Sequence, residues 1–161
     1  MNTSIPGSTL ATLFGELVDG VRTHGYTLNS GDVGLLASLD RLSATRASAP
    51  VEGGSSIAAQ VDHLHYSLSL LNRWAGGTNP YAGADWAASW RRTAVTDEEW
   101  QRLRAGLGDQ AHRWLEKLAE PREVSQQELD GIVSSIVHLA YHMGAIRQMD
   151  RITRGPSATE G

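Results

Sequence analysis

The sequence contains no cysteine and no apolar stretch long enough for a membrane helix. Without cysteine, disulfides, thiolate metal sites and cysteine nucleophiles are all excluded. Any transition-metal site must therefore use histidine, aspartate, glutamate or water. The segment from Met1 to Ser8 lacks a basic start followed by an apolar run, as a secretory signal would have. These absences predict a soluble, cytoplasmic protein.

Positive charge is also scarce, since 14 basic residues face 18 acidic ones, for a net charge of −4. The charges are interspersed, which argues against nucleic acid or an anionic membrane as a partner. A length of 161 residues suits one domain. We predict a single helical-bundle domain over residues 1–154 and a disordered tail over residues 155–161.

Apolar residues recur at helical spacing, and no segment shows the alternation of a strand. The predicted helices are bounded as follows: a first from Ser8 or Thr9 to Gly25, a shorter one over Leu35 to Leu42, a third from Ser55 or Ser56 to Gly76, a fourth from the Thr96/Glu99 capping box to Pro121, and a last from the Ser125/Glu128 capping box to about Thr153. We therefore predict an all-α fold, a four-helix bundle whose long crossover holds a short extra helix at Asp85 to Trp90.

Two histidines, His138 and His142, stand four residues apart in the last predicted helix. Positions i and i+4 share one face of a helix, so the two imidazoles can hold one metal ion. Taken alone, the pair is equally compatible with a structural role. Rotating each helix by about 100° per residue places His63 on the matching side of its own apolar stripe. If the two faces meet, three imidazoles converge, and three neutral ligands with one open position are typical of a catalytic metal site.

Two segments resemble the DinB/YfiT-like family of metal-dependent enzymes. The stretch SSIAAQVDHL, residues 55–64, is similar to the family's second-helix segment, and HLAYHMGAI, residues 138–146, is similar to its last-helix segment. In architecture the resemblance runs from about Leu10 to Thr153. It implies a four-helix bundle, a homodimer, and a divalent metal ion, with zinc or nickel expected, bound by His63, His138 and His142.

The resemblance also implies a function, because family members include transferases and isomerases that use a small thiol. We therefore expect a metal-dependent enzyme, a transferase, isomerase or hydrolase, that acts on a small molecule with a low-molecular-weight thiol as co-substrate. The alternative is a non-catalytic, metal-stabilised binding module connected with stress. The tryptophan-rich segment at Asp85 to Trp90 departs from the family pattern and leaves the substrate open.

Other residues carry weaker hypotheses. Trp86, Trp90 and Trp100 are expected to pack the crossover onto the bundle, and they could also wall a pocket above the metal. Arg147 is interpreted as either a salt-bridge partner or a group that binds a substrate carboxylate. The sequence indicates no convincing general base, and Asp85, Glu98 and Glu99 are only candidates by position. Three further side chains, on Val133, Val137 and Tyr141, lie opposite the histidines, which predicts a fully buried helix or a dimer contact. Of the remaining histidines, His24 and His112 are expected to be surface groups, and His65 is expected either to lie on the surface or to support the site from behind the ligands, without binding the metal.

Overall fold

The computed structural model describes residues 3–5 and 7–158, and the chain is mostly helical, as predicted. The described residues form six α-helices: α1 (Gly7–Asp19), α2 (Gly34–Leu39), α3 (Ala44–Ala47), α4 (Ile57–Ala75), α5 (Asp97–Ala119) and α6 (Gln126–Met149). Three 3-10 turns accompany them, at Tyr81–Gly83, Ala88–Trp90 and Arg151–Thr153. None of these helices is both long and apolar enough to cross a membrane.

Side-chain caps begin the three longest helices at the predicted places. The hydroxyl of Ser56 accepts a hydrogen bond from the backbone N–H of Ala59, three residues into α4. Thr96 with Glu99 and Ser125 with Glu128 form the two capping boxes that start α5 and α6. In each box the serine or threonine and the glutamate satisfy backbone N–H groups that have no partner inside the helix.

The four long helices contact one another in the cyclic order α1, α5, α4, α6. Their apolar faces meet in one core, in which the rings of Phe14 on α1 and Trp114 on α5 are fully buried. The indole N–H of Trp114 donates to the hydroxyl of Ser135, which ties α5 to α6 across this core. The contact between α4 and α6 has a functional consequence, because it brings His63 to the face of the last helix that carries the histidine pair.

Two short strands correct the expectation that the chain has none. Strand β1 (Thr3–Ile5) pairs antiparallel with β2 (Arg122–Val124), and Ser4 lies opposite Glu123. Each strand has only three residues, which is too short for alternation to stand out from the surrounding sequence. The pairing joins the beginning of the chain to the link between α5 and α6.

The connections also differ from the prediction in detail. Helix α1 ends at Asp19 rather than Gly25, and α6 ends at Met149 because the carboxylate of Asp150 caps the following 3-10 turn. Gly20 and Gly34 meet back to back with φ of +83° and +76°, so a side chain at either position would strike backbone. Helix α3 was not predicted.

One face of α6 stays exposed along three positions four residues apart: Val133, Val137 and Tyr141. The alternative of a fully buried last helix is therefore wrong, and the homodimer stays a prediction. The division between a domain and a disordered tail also stays a prediction. Within the tail, the carbonyl of Pro156 accepts a hydrogen bond from Asn29, while residues 159–161 lie outside the described part of the chain.

Candidate metal centre

His63, His138 and His142, here called the histidine cluster, converge where α4 meets α6. The Nε2 atom of His138 lies 3.1 Å from that of His63 and 2.9 Å from that of His142. Each ring offers a nitrogen, and these nitrogens all lie within 4.8 Å of one another. The structure thus brings together all three histidines that the sequence singled out.

Hydrogen bonds behind the rings determine which nitrogen of His63 carries its proton. The Nδ1 atom of His63 lies 2.9 Å from the hydroxyl oxygen of Ser89 in the crossover. That hydroxyl donates its only hydrogen to the carbonyl of Trp86, at 2.7 Å. It must therefore accept from His63, so the proton lies on Nδ1 and the lone pair on Nε2 points into the histidine cluster.

The same reasoning applies to His142. Its Nδ1 atom lies 2.5 Å from the amide oxygen of Gln60, one turn before His63 on α4. An amide oxygen only accepts, so His142 donates from Nδ1 and its Nε2 also carries a lone pair. The Nδ1 atom of His138 faces the hydroxyl of Ser67 at a longer 3.4 Å.

The three Nε2 atoms can bind one divalent cation more completely than they can hydrogen-bond to one another. When all rings are neutral, the three facing Nε2 atoms share at most one hydrogen, which His138 can donate to only one neighbour. A bound cation would accept all three lone pairs. Nitrogens that bind one zinc ion tetrahedrally at about 2.0–2.1 Å lie about 3.3 Å apart, a few tenths of an ångström more than the two separations from His138. All three nitrogens lie within 4.8 Å of one another, close enough to hold one ion.

Burial favours the neutral form that metal binding requires. His63 and His142 are 7% and 3% exposed. Desolvation, followed by repulsion from His138, lowers the pKa of His63 to about 4. Desolvation, followed by repulsion from His138 and His63, lowers the pKa of His142 to about 3. Burial also lowers the pKa of His138. At neutral pH the histidine cluster therefore presents uncharged donors.

Two tryptophans of the crossover close part of the histidine cluster, as the wall hypothesis proposed. The indole of Trp90 stacks on the ring of His63, with 4.3 Å between the ring centroids, and its centroid lies 5.7 Å from that of the His142 ring. Trp86 lies 5.9 Å from His63, at the edge of a cavity of about 560 Å³. Trp100 belongs to the packing hypothesis instead, since it is buried and donates to the carbonyl of Leu42.

The cavity opens onto two of the three histidines. Its lining residues come mostly from α4 and α6: His63, Leu64, Ser67, Leu68, Leu71, Tyr81, Trp86, Gly131, Ser134, Ser135, His138 and Leu139. His142 lies behind them, on the side that Trp90 and Gln60 occupy. A small molecule in this cavity would therefore approach the histidine cluster from the side of His63 and His138.

The other residues that the sequence proposed lie elsewhere. Arg147 forms a double salt bridge with the buried carboxylate of Asp32, so the structural alternative for this residue is correct. Glu99 serves the α5 cap, and Asp85 accepts from the backbone of Ala88. Within the described residues, no hydrogen bond links Asp85, Glu98 or Glu99 to the histidine cluster.

The remaining histidines do not join the cluster. The partly exposed ring of His112 pairs with Asp19, and His24 contacts Tyr26. His65 is half-buried against Gly106 rather than on the surface, and burial lowers its pKa.

Gln60 and Ser89 are the functional residues that sequence reasoning missed. Gln60 precedes His63 by three residues, so its position on the same side of α4 was a usable signal. Ser89 reaches His63 only through the path of the crossover, which no local pattern predicts.

Comparison with known proteins adds no relative, since no protein family, no curated protein and no solved structure matches the chain. The three histidines could hold a metal ion, and the geometry of the site is the basis for any functional conclusion.

Proposed function

We propose that the chain is a metal-dependent enzyme of the DinB/YfiT type, built as a four-helix bundle with a three-histidine site for one divalent ion. The observation that carries this proposal is the tautomer arrangement. Ser89 and Gln60 hold the protons of His63 and His142 on the far side of each ring, so both Nε2 lone pairs face inward. Zinc and nickel are the expected ions, since imidazole suits both.

The cavity favours an enzyme over the second candidate, a non-catalytic metal-stabilised module. A structural zinc site has four protein ligands, whereas the histidine cluster supplies three in the described chain. The open side faces a cavity of about 560 Å³, within the size range of small-molecule sites. The three-ligand count and the open side together leave room for a ligand beside the ion.

A divalent ion held there would lower the pKa of a coordinated water or thiol and so produce a nucleophile at neutral pH. The chain's own residues supply the rest. His63, His138 and His142 are neutral donors, Ser89 and Gln60 orient two of them, and Trp90 excludes water from the covered side. Because the chain has no cysteine, a reacting sulfur atom must come from a small thiol.

Metal content is the decisive measurement. The protein, produced without a histidine tag, is exposed to zinc or nickel, freed of excess metal and analysed for bound ion. We expect about one ion per chain in the wild type and almost none in His138→Ala. His112→Ala is the matched control, because it removes a partly exposed histidine that pairs with Asp19 outside the cluster.

The result would contradict the proposal if the wild type bound no ion, or if His138→Ala and His112→Ala retained metal equally. The thiol step has its own test in the cobalt-substituted protein. A small thiol that coordinates the ion gives an intense sulfur-to-cobalt absorption band in the near ultraviolet. If added thiols leave the spectrum of the cobalt protein unchanged while pH alters it, the result would favour coordinated water as the nucleophile.

A further inference from the structure

The cavity beside the histidine cluster is almost entirely apolar. Leucines at positions 64, 68, 71 and 139 form its floor, and the rings of Tyr81 and Trp86 form its rim. Among the residues that the structure describes, no aspartate, glutamate, lysine or arginine lines it. The polar groups among its described lining residues are all neutral: two histidines, three serine hydroxyls, the Tyr81 hydroxyl and the Trp86 indole N–H. The hydroxyl of Ser135 is already engaged with Ile132 and Trp114.

This lining selects against a charged ligand. A carboxylate or ammonium group inside an apolar cavity loses its hydration and needs a partner of opposite charge. Carboxylates are usually held by arginine or lysine. Arg147, the cation that the sequence offered for this purpose, is committed to Asp32. A ligand with a charged body would therefore find no partner along the walls.

A second cavity, of about 720 Å³, shares Leu71, Tyr81 and Gly131 with the first and continues toward the end of α4. Its other walls are more polar and include Thr78, Asn79 and Gln127. Gly131 stands where the two cavities meet. A ligand that reaches from the histidine cluster past Gly131 would thus pass from apolar walls to neutral polar ones.

We propose that the substrate of this site is a small, uncharged molecule with an alkyl or aryl body, which lies along the apolar cavity with its reacting end toward His63 and His138. For the reacting end, the inference rests on the proposed function. For the body, it rests on the lining alone. The size of the cavity and the absence of charged walls carry this second part.

The test uses metal-free protein, so that recognition of the body is measured separately from metal binding. Calorimetric titration with 1-butanol, 1-hexanol and 1-octanol should show an affinity that rises about fourfold per added methylene, the value for burying a methylene group. Hexanoate and hexylammonium, which match 1-hexanol in length, should bind at least about tenfold more weakly.

Two glycine variants on α6 locate the binding. Gly144 is exposed and has nothing within 4 Å of an added Cβ, so Gly144→Leu should fold and bind alkanols as the wild type does. Gly131→Leu places a branched side chain where the cavities meet and should lose the binding of 1-octanol. Circular dichroism and thermal unfolding check that both variants fold. Trp86→Ala removes a residue at the rim of the cavity, on the crossover, and should weaken the binding of 1-octanol. It tests the location of the ligand at a second position.

Three results would overturn the inference: an affinity that ignores chain length, hexanoate binding as tightly as 1-hexanol, or folded Gly131→Leu and Trp86→Ala both binding like the wild type. These results are distinguishable from a failure of the proposed function. If the protein binds alkanols with an affinity that rises with chain length but binds no metal, the ligand class is supported and the proposal of a metal-dependent enzyme is refuted. Metal binding without alkanol binding would refute the ligand class alone.

Discussion

Helix α6 contributes to two buried polar groups of opposite character, the histidine cluster and the salt bridge of Arg147 with Asp32. In the salt bridge each carboxylate oxygen is bound, since Oδ1 and Oδ2 both accept from the guanidinium and Oδ1 also accepts from the N–H of Gly34. In the histidine cluster, by contrast, the N–H groups of His63 and His142 point outward and their unshared electron pairs point inward.

The difference separates a structural polar group from a binding site. The carboxylate of the buried ion pair has all its partners within the protein, and the pair fixes the loop after α1 against the last helix. In the histidine cluster, the outer nitrogens of His63 and His142 have acceptors, whereas the three inner Nε2 atoms lie together with at most one hydrogen among them. Buried polar atoms normally have partners, and a metal ion could be the shared partner of these three nitrogens.

The largest effect should come from breaking the salt bridge. Asp32→Ala removes a carboxylate whose side chain is only 2% exposed, and it leaves the guanidinium of Arg147 without its ion-pair partner. We expect the free energy of unfolding in urea to fall by about 3–5 kcal/mol, with metal content per folded chain unchanged. Asp40→Ala, which breaks the more exposed pair with Arg104, is the control and should cost less than about 1 kcal/mol. Equal losses in the two variants would contradict the comparison.

A smaller effect should appear in the pH dependence of the metal-free protein. Unfolded histidines take up protons below pH about 6.5, whereas folded His63 and His142 resist protonation down to pKa values of about 4 and 3. The unfolded state therefore binds more protons below pH 6.5, and stability must fall as the pH falls. The free energy of unfolding in urea should decrease between pH 7 and pH 5 in both proteins. The decrease should be smaller in His142→Gln than in the wild type, by on the order of 2 kcal/mol.

The comparison for that experiment is His112→Gln, which changes a histidine outside the cluster and should keep the wild-type pH profile. Identical slopes in all three proteins would show that the buried rings are not held neutral by the fold.

The smallest effect tests the outward N–H groups. Ser89→Ala removes the acceptor for Nδ1 of His63, and Gln60→Leu removes the one for Nδ1 of His142. Each should weaken zinc binding by about tenfold, or about 1.4 kcal/mol, because the ring is no longer held in the binding tautomer. Competition with a chromophoric chelator measures this. Ser69→Ala removes a hydroxyl that donates to the carbonyl of Tyr66, away from the histidine cluster, and should bind zinc like the wild type.

Much of the helical content could be predicted, and so could the helix faces that carry the three histidines, because both follow from short-range spacing. The capping boxes at Thr96 and Ser125 are four-residue patterns, and the side of α4 that His63 occupies follows from helical rotation alone. The convergence of His63 with His138 was a hypothesis about packing, and the structure confirms that the rings come together.

The parts that could not be predicted depend on long-range contacts. The β1–β2 pairing joins residues more than a hundred positions apart, and neither strand has a local signature. Ser89 acts on His63 through the particular path of an irregular crossover. Whether Arg147 forms a salt bridge or contacts a substrate depended on Asp32, which lies 115 positions away in the sequence. No local pattern around Asp32 indicates that it pairs with Arg147.

The separation of His63 from His138 by 75 positions has a consequence for how the chain folds. Closing so long a loop costs entropy that is recovered only when α4 and α6 dock. The three-ligand site is therefore complete only once α4 and α6 are docked, whereas α6 alone presents the pair His138 and His142. An ion bound by all three histidines would stabilise the docked state over any state in which the two helices are apart.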